Sequence, residues 1–230
     1  IFRLLNSTPE EAIKEDNVRA LSFVNDSLLC IGFETKGIQF LNVKTNKVIS
    51  NYDSIVANSL TSETILRSIL YRHPVLWVGT YGKGLIGINL ITGKKKQFTQ
   101  ENGLPNNTIY GILADKNGNL WIATWDGLNM FNGKTVTQFL KREYHQLQND
   151  YINQVVCDND NRIWVMGQGG VVTLIDENRR FHNISLYQDG KQGGMKRILK
   201  TKAYGVILFT KEGFFSLPHE KNILNKDSLM

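Results

Sequence analysis

The sequence is poor in cysteine and histidine, and both shortages limit the chemistry it can support. Its 230 residues include two cysteines and four histidines. Cys30 and Cys157 each lie in an apolar run, which favours buried free thiols, while a disulfide between them stays open at this stage. No histidine forms a pair with another histidine or a cysteine at metal-ligand spacing. We therefore expect no bound metal.

Long hydrophobic runs are also absent. No stretch approaches the roughly 18 consecutive apolar residues of a membrane-spanning helix. The first residue is Ile1 rather than Met, and the residues after it lack the layout of a signal peptide. We expect the chain to be cut from a longer protein, with any targeting sequence or membrane anchor outside it.

The local motifs of common enzymes and cofactor-binding proteins are missing as well. The sequence has no Gly-x-Ser-x-Gly elbow and no glycine-rich phosphate-binding loop. Its 20 glycines fall mostly in turns, and with only four prolines they indicate a chain that reverses direction often. We therefore expect no catalytic residues and no cofactor, and the abundance of turns favours an all-β fold.

Positive charge exceeds negative charge by six, an excess that attracts anionic partners. The basic residues form only one run, Lys94-Lys95-Lys96, and no recognition helix, zinc spacing or aromatic-basic platform accompanies it. A solvated surface explains this charge better than a nucleic-acid interface does. We expect no nucleic-acid contact, and membrane anchoring only through parts outside this chain.

A repeat of about 43 residues is the strongest signal in the sequence. Tryptophan recurs in similar apolar strands at Trp77, Trp121 and Trp164, at intervals of 44 and 43 residues. Weaker copies of this strand lie around Cys30 and Ile207. A fixed period of this length is typical of solenoids and propellers. We therefore predict five copies of one supersecondary unit.

The copy around Trp121 divides into four strands. Turns such as Asn117-Gly118 and Asn132-Gly133 carry the residues that hairpins favour. Four antiparallel strands in about 43 residues make one propeller blade, so the predicted fold is an all-β propeller of four-stranded antiparallel blades, with about five blades present. The predicted strands of this copy are residues 108–114, 120–124, 128–132 and 135–139.

The repeat divides the chain into consecutive blades of one propeller domain. Helical periodicity is nearly absent, and the one candidate is a short turn at 8–14, where Thr8 suits the N-cap and Pro9 the first helical position. The predicted ranges are 1–5 for the last strand of a preceding blade, and 6–52, 53–100, 101–142, 143–185 and 186–230 for five blades.

The recurring tryptophans are interpreted as core residues, because blades that pack face to face need a large apolar side chain at a fixed place. The acidic segments 115–119 and 158–161 each precede one of these tryptophans and slightly resemble calcium loops. Neither has the later bidentate glutamate of a calcium loop, and both fall where the repeat needs a hairpin. We therefore expect turns here rather than ion sites.

Together these features resemble the two-component regulator propeller repeat, which is found in the extracytoplasmic sensor region of hybrid two-component systems. The matching segments are Gly103–Ile109, which leads into a blade, and Asp115–Thr124, which joins the acidic hairpin to the tryptophan strand. A second close copy runs from Ile152 to Val171, whereas the first and fifth copies lack the tryptophan. The resemblance covers residues 18–217 and is close in 65–184.

The resemblance implies a larger, seven-bladed ring in the intact protein, of which this chain holds an arc. It also implies a membrane-spanning parent that couples a periplasmic ligand-binding part to a histidine kinase. In that family the signals are typically oligosaccharides, and the output is transcription of genes for the uptake and breakdown of polysaccharides. We therefore expect a periplasmic sensor module that is not itself an enzyme.

Ligands are expected at the loops that follow the second strand of each blade and at the connections between consecutive blades, which include 102–107 and 143–151. Propellers present both sets on one face around the central channel, and loops on a rigid scaffold carry function. Trp125 is the leading candidate: it either contacts a sugar ring or caps the apolar edge of a neighbouring blade. Asp126 beside it supplies hydrogen-bonding groups. The remaining candidates, in equivalent loops, are Tyr81, Lys83, Gln168, Glu34 and Lys211.

Three functions stay open from the sequence. The first is a sensor that binds an oligosaccharide, and the second is a protein-interaction propeller with no small ligand. The third is a propeller enzyme such as a lyase, against which the absence of histidine, carboxylate and metal clusters argues. Exposed edge strands are also compatible with a homodimer.

Overall fold

The computed structural model describes residues 17–145, 147, 149–184, 187–188, 191–192, 195–201, 205–211 and 213–217. Strands dominate this part of the chain. The strand predicted at residues 1–5 and the helical turn predicted at 8–14 lie outside the described residues.

Four sheets have four strands each, and in all four the strands are adjacent in chain order. The first sheet comprises β1 (Val18–Phe23), β2 (Leu28–Phe33), β3 (Ile38–Asn42) and β4 (Lys47–Ile49). The second comprises β5 (Leu66–Arg72), β6 (Val75–Thr80), β7 (Leu85–Asn89) and β8 (Lys95–Phe98). The third comprises β9 (Ile109–Ala114), β10 (Leu120–Thr124), β11 (Gly127–Phe131) and β12 (Val136–Phe139). The fourth comprises β13 (Ile152–Cys157), β14 (Ile163–Gly167), β15 (Val172–Ile175) and β16 (Phe181–Ile184).

The remaining strands form two smaller sheets. The hairpin of β17 (Tyr187–Gln188) and β18 (Lys191–Gln192) precedes a three-stranded sheet of β19 (Arg197–Thr201), β20 (Gly205–Phe209) and β21 (Phe214–Leu217). Each four-stranded sheet lies within one of the predicted blade ranges, whose exact boundaries stay a prediction. The antiparallel pairing of neighbouring strands and the repeated four-strand order confirm the all-β propeller fold.

One α-helix, α1 (Asp53–Ser59), lies in the connection between the first and second sheets. The sequence does not predict this helix, because several of its residues are polar or β-branched and have modest helix propensity. Val56 is 5% exposed, and Ile55 packs against the same apolar cluster. Tertiary burial therefore stabilises a helix that local propensity alone does not indicate.

The chain falls into two compact units, divided between Ile112 and Leu113. In the first unit, apolar side chains from the first two sheets form one core, which includes Phe40 and Leu76. In the second unit, Trp121 shares a core cluster with side chains of the fourth sheet, such as Val165. Within each unit, the core therefore lies between consecutive blades.

The three recurring tryptophans are core residues, as predicted. Trp77, Trp121 and Trp164 are 9%, 3% and 0% exposed. Trp77 is paired with Gly87 across β6 and β7, where a Cβ would lie 2.8 Å from Cζ3 of the indole. The glycine therefore makes room for the tryptophan.

The two cysteines are free, which answers the question that their spacing left open. Cys30 is fully buried, as expected of a small apolar side chain, whereas Cys157 is only partly buried. Burial raises the pKa of the Cys30 thiol and is the main cause of the raised pKa of Cys157.

Two buried aspartates build the hairpins that precede the tryptophan strands. Oδ1 of Asp115 accepts the amide N–H of Asn119 at 2.8 Å, and its Oδ2 accepts the indole N–H of Trp121 at 3.0 Å. Asp158 makes the same two contacts. Its Oδ1 accepts the amide N–H of Arg162 and its Oδ2 accepts the indole N–H of Trp164, each at 2.9 Å. Because the carboxylate oxygens are used within the hairpins, the turn interpretation of both acidic segments is confirmed.

The same arrangement occurs a third time, at the outer hairpin of the fourth sheet. Oδ1 of Asp176 accepts the amide N–H of Arg180 at 2.8 Å, and His182 Nε2 lies 2.9 Å from its Oδ2. Burial raises the pKa of the Asp176 carboxyl, but the hydrogen bonds from His182, Arg180 and Asn178 outweigh it and hold the pKa below its ordinary value. Here a histidine takes the place of the tryptophan.

Candidate functional site

The turn after β10 is only two residues long. Trp125 and Asp126 connect Thr124, the last residue of β10, to Gly127, the first of β11. The buried Thr124 hydroxyl donates to the Gly127 carbonyl oxygen at 2.8 Å and accepts the Asp126 amide N–H at 3.1 Å. Gly127 has a φ of 99°, which favours glycine. These contacts fix the turn, and both connecting side chains are exposed.

Trp125 stacks on Tyr151, the residue that precedes the first strand of the next blade. The ring centroids are 4.6 Å apart and the planes are inclined by 27°, a geometry typical of offset aromatic stacking. Trp125 is nevertheless 51% exposed. The indole therefore covers a side chain of the neighbouring blade, as one interpretation of Trp125 expected, while half of its surface stays accessible to a ligand.

Backbone and amide hydrogen bonds hold Tyr151 in place. Its amide N–H donates to Oδ1 of Asn149 at 2.8 Å, and its carbonyl oxygen accepts the amide N–H of Gln168 at 2.9 Å. The Asn149 side chain in turn lies 3.4 Å from the Gln168 carbonyl oxygen. We call Trp125 and Tyr151 the aromatic platform. The structure thus brings Trp125 and Gln168 into one cluster, with Tyr151 between them.

The aromatic platform combines an apolar face with hydrogen-bonding groups. Trp125 is half-exposed and directly precedes the exposed Asp126, and the exposed Gln168 is joined to Tyr151 through its backbone amide. Apolar surface with a few fixed polar groups is the usual composition of a binding site. A sugar ring presents the same combination, since its C–H bonds form an apolar face and its hydroxyls exchange hydrogen bonds at the edge.

In the first unit, Tyr81 and Lys83 occupy the equivalent turn after β6. Tyr81 is 48% exposed, and the guanidinium of Arg67 lies 5.3 Å from its ring centroid, within cation–π range. Lys83 Nζ donates to Oγ1 of Thr61 at 2.9 Å and lies 3.6 Å from a carboxylate oxygen of Glu63. Both candidates are therefore engaged with neighbouring side chains of their own unit.

Glu34 also has protein partners. A carboxylate oxygen lies 2.7 Å from the Arg19 guanidinium, and the other oxygen lies 4.0 Å from that of Arg67. The hydrogen bond from Arg19 is the main cause that lowers the pKa of Glu34, and the charges of both arginines add to it. Glu34 therefore links the turn after β2 to strands β1 and β5, which carry Arg19 and Arg67.

Lys211 lies in the turn after β20 and is exposed. No contact joins it to the aromatic platform in the described residues. Of the predicted site residues in the second unit, the structure thus groups Trp125, Asp126 and Gln168, and leaves Lys211 apart. The predictions for Glu34, Tyr81 and Lys83 concern the first unit and are described there alone.

Tyr151 and Asn149 lie in the connection 143–151, which the sequence predicts on the ligand face although it singles out neither residue. The stack of Trp125 on Tyr151 joins this connection to the turn after β10, and so brings together one member of each predicted loop set. The repeat does not constrain the residues of the connection strongly, so the individual contact could not be predicted.

Within the described ranges, no three histidine, cysteine, aspartate or glutamate side chains lie close enough to hold a metal ion. Among the same residues, no helix is long and apolar enough to cross a membrane.

Residues 103–126 match the family model of the two component regulator propeller. The matched segment includes the Asp115 hairpin, Trp121 and the Trp125–Asp126 turn. The family model therefore confirms the resemblance drawn from the sequence, at the copy where the motif is most complete.

A curated relative, histidine kinase P4 of Formosa agariphila, is 28% identical to this chain over 133 residues. The alignment covers 55% of this chain and 10% of the relative. The matching part is therefore a small portion of a much longer protein.

Solved structures give the fold. The extracellular domain of a hybrid two component system from B. thetaiotaomicron has a TM-score of 0.71 at 22% identity, covering 90% of this chain and 28% of that one. Virginiamycin B lyase from Staphylococcus aureus has a TM-score of 0.64 at 16% identity, covering 90% of this chain and 73% of that one. At such identities the likeness shows the fold alone. The chain thus has the β-propeller fold, and its residues 103–126 match the two component regulator propeller.

Proposed function

We propose that this chain is the ligand-sensing propeller of a hybrid two-component sensor histidine kinase, that it lies in the periplasm, and that its ligand is an oligosaccharide. The repeat at residues 103–126 and the similarity to a histidine kinase support this parent. The observation that carries the ligand class is the half-exposed stack of Trp125 on Tyr151. The proposed sensor histidine kinase then controls the transcription of polysaccharide-utilisation genes.

A ligand changes the activity of a sensor kinase only if it binds one state of the sensor more tightly than the other. Trp125 follows the second strand of one blade, and Tyr151 precedes the first strand of the next. An oligosaccharide that contacts both rings therefore stabilises one arrangement of these two blades. In the proposed mechanism this preference is transmitted to the kinase, either within one chain or through a homodimer, and the propeller itself catalyses nothing.

A thermal-shift screen against neutral and acidic oligosaccharides tests the proposed ligand class. A ligand that binds only the native state raises the melting temperature, so we expect a rise with one glycan class. Trp125→Ala and Tyr151→Ala should each remove the rise. Ile91→Ala changes a similarly exposed apolar residue, 68% exposed in the β7–β8 turn, and should leave it intact. A rise that survives Trp125→Ala, or no rise with any glycan, contradicts the proposal.

A further inference from the structure

A cavity of about 290 Å³ lies in the first unit, between the turn after β2 and helix α1. Small-molecule sites typically measure roughly 300–1,000 Å³, so this cavity suits a ligand smaller than a drug. It contains none of the predicted site residues and lies outside the aromatic platform. Its lining includes Lys36, Ile38, Asp53, Val56, Leu60 and Thr61.

The cavity lining is partly apolar and partly charged. Ile38 and Val56 are 3% and 5% exposed and form the buried part of the lining. Lys36 is exposed and Asp53 is half-buried, so the lining includes one positively and one negatively charged residue. Apolar contact and both signs of charge are therefore available to one small occupant.

Lys36 and Asp53 form no ion pair with a described residue, in contrast to the nearby Glu34 and Lys83. Among the residues the structure describes, neither Lys36 nor Asp53 has an oppositely charged group within 4.0 Å, including each other. By contrast, Glu34 is paired with Arg19, and Lys83 with Glu63. Both charged residues of the cavity lining are thus without an ion-pair partner in the described part of the chain.

Both walls of the cavity are held by hydrogen bonds. The amide N–H of Phe33 donates to the Gly37 carbonyl oxygen at 2.9 Å and closes the turn that carries Lys36. On the opposite wall, Lys83 Nζ donates to Oγ1 of Thr61 at 2.9 Å. A preformed cavity lowers the entropic cost of binding.

We propose that this cavity binds a small zwitterion, namely a free amino acid with an aliphatic side chain. The Lys36 ammonium pairs with the ligand carboxylate, the Asp53 carboxylate pairs with the ligand ammonium, and the aliphatic chain lies on Ile38 and Val56. Charge-assisted hydrogen bonds of this kind are the stronger polar contacts in proteins. Among the described residues, no aromatic side chain lines the cavity, which favours a zwitterion over a sugar. The proposal goes beyond the sensing of oligosaccharides and does not rest on it.

Isothermal titration calorimetry of the whole chain with L-leucine and L-valine tests this assignment. We expect binding of both, and a loss of affinity of at least about tenfold for N-acetyl-L-leucine and for L-leucinamide, since each lacks one charge. Lys36→Gln and Asp53→Asn should cause losses of similar size. The matched controls Lys44→Gln and Asp26→Asn change exposed residues of the same sheet outside the cavity and should leave the affinity unchanged.

Ala57→Trp provides a test that leaves both charges in place. Ala57 is an exposed residue of α1 that lines the cavity, so the larger side chain should fill the space and abolish amino-acid binding without unfolding the chain. Trp125→Ala should leave amino-acid binding intact, which separates this site from the aromatic platform. The assignment is overturned if no amino acid binds at millimolar concentration, if the uncharged derivatives bind equally well, or if Ala57→Trp has no effect.

Discussion

The indole N–H of Trp121 donates to the buried carboxylate of Asp115 at 3.0 Å. Trp164 and Asp158 form the same bond at 2.9 Å, also across six residues. Each aspartate additionally accepts backbone amides of its hairpin. One carboxylate therefore fixes the hairpin and satisfies the only polar atom of a core indole, which explains why acidic hairpin and tryptophan recur together in the repeat.

Removal of this carboxylate should destabilise the fold. In Asp115→Ala the Trp121 N–H and the Asn119 amide lose their acceptor in a buried setting, and we expect the free energy of unfolding to fall by about 1–3 kcal/mol. Asp126→Ala, at an exposed aspartate of the same blade, should change it by less than about 0.5 kcal/mol. Urea denaturation monitored by circular dichroism measures both, and equal losses in the two variants would contradict the proposed role of Asp115.

The two tryptophans of the third blade should differ strongly in their effect on stability. Trp121 is 3% exposed, so Trp121→Ala should lower the free energy of unfolding by about 3–5 kcal/mol. Trp125 is 51% exposed and loses mainly its stack on Tyr151, worth about 0.5–1.5 kcal/mol. Denaturant unfolding of both variants gives the comparison, and a larger loss in Trp125→Ala would show that Trp125 is a core residue.

The lowered pKa of Asp176 predicts a pH-dependent contribution to stability. Because its pKa is lower in the folded state, the ionised carboxyl stabilises the fold at pH values above its unfolded pKa of about 3.9. That contribution is lost as the pH falls through the folded pKa. The difference in unfolding free energy between wild type and Asp176→Asn should therefore shrink as the pH falls below about 4.

Thermal melts between pH 2 and pH 7 measure this dependence, with Asp126→Asn as the control. Asp126 is exposed, and no described residue donates a hydrogen bond to its carboxylate comparable to those of Asp176, so the Asp126 variant should follow wild type throughout. A constant difference between wild type and Asp176→Asn across the whole range would refute the prediction.

The two thiols should be free and protected in the native chain. Burial raises the pKa of Cys30 and of Cys157, and only the thiolate reacts readily. Labelling with a thiol reagent in denaturant, without reductant, should modify two groups per chain, while labelling of the native chain should be far slower at Cys30 than at the partly buried Cys157. Absence of reactive thiols in denaturant would reveal a disulfide.

The blades could be predicted from the sequence because the same pattern of turn residues and core residues recurs from blade to blade. Asn117-Gly118 marks a hairpin, Trp121 marks the core, and the predicted strand 120–124 coincides with β10. Helix α1 could not be predicted, since burial of Val56 rather than local propensity stabilises it. The hairpin β17–β18 likewise lies outside the period that guided the prediction.

The candidate site was only partly predictable. Trp125 stood out because a two-residue turn needs no bulky side chain, and the structure shows it half exposed. Its stack on Tyr151 depends on a connection about 25 residues later in the chain, which the repeat does not encode. The partners of Glu34 and Lys83 are equally non-local, since Arg67, Thr61 and Glu63 belong to the connection and strand that follow α1.

Quenching of tryptophan fluorescence by acrylamide tests the central claim, that an oligosaccharide binds on Trp125, most directly. Of the four tryptophans, three are at most 9% exposed and Trp125 is 51% exposed, so the quenchable signal comes mainly from this one residue. An oligosaccharide that raises the melting temperature should reduce quenching of the wild-type chain, and Trp125→Phe should show little quenching with or without it. A glycan that raises the melting temperature but leaves the quenching of Trp125 unchanged would place the ligand elsewhere and contradict the account.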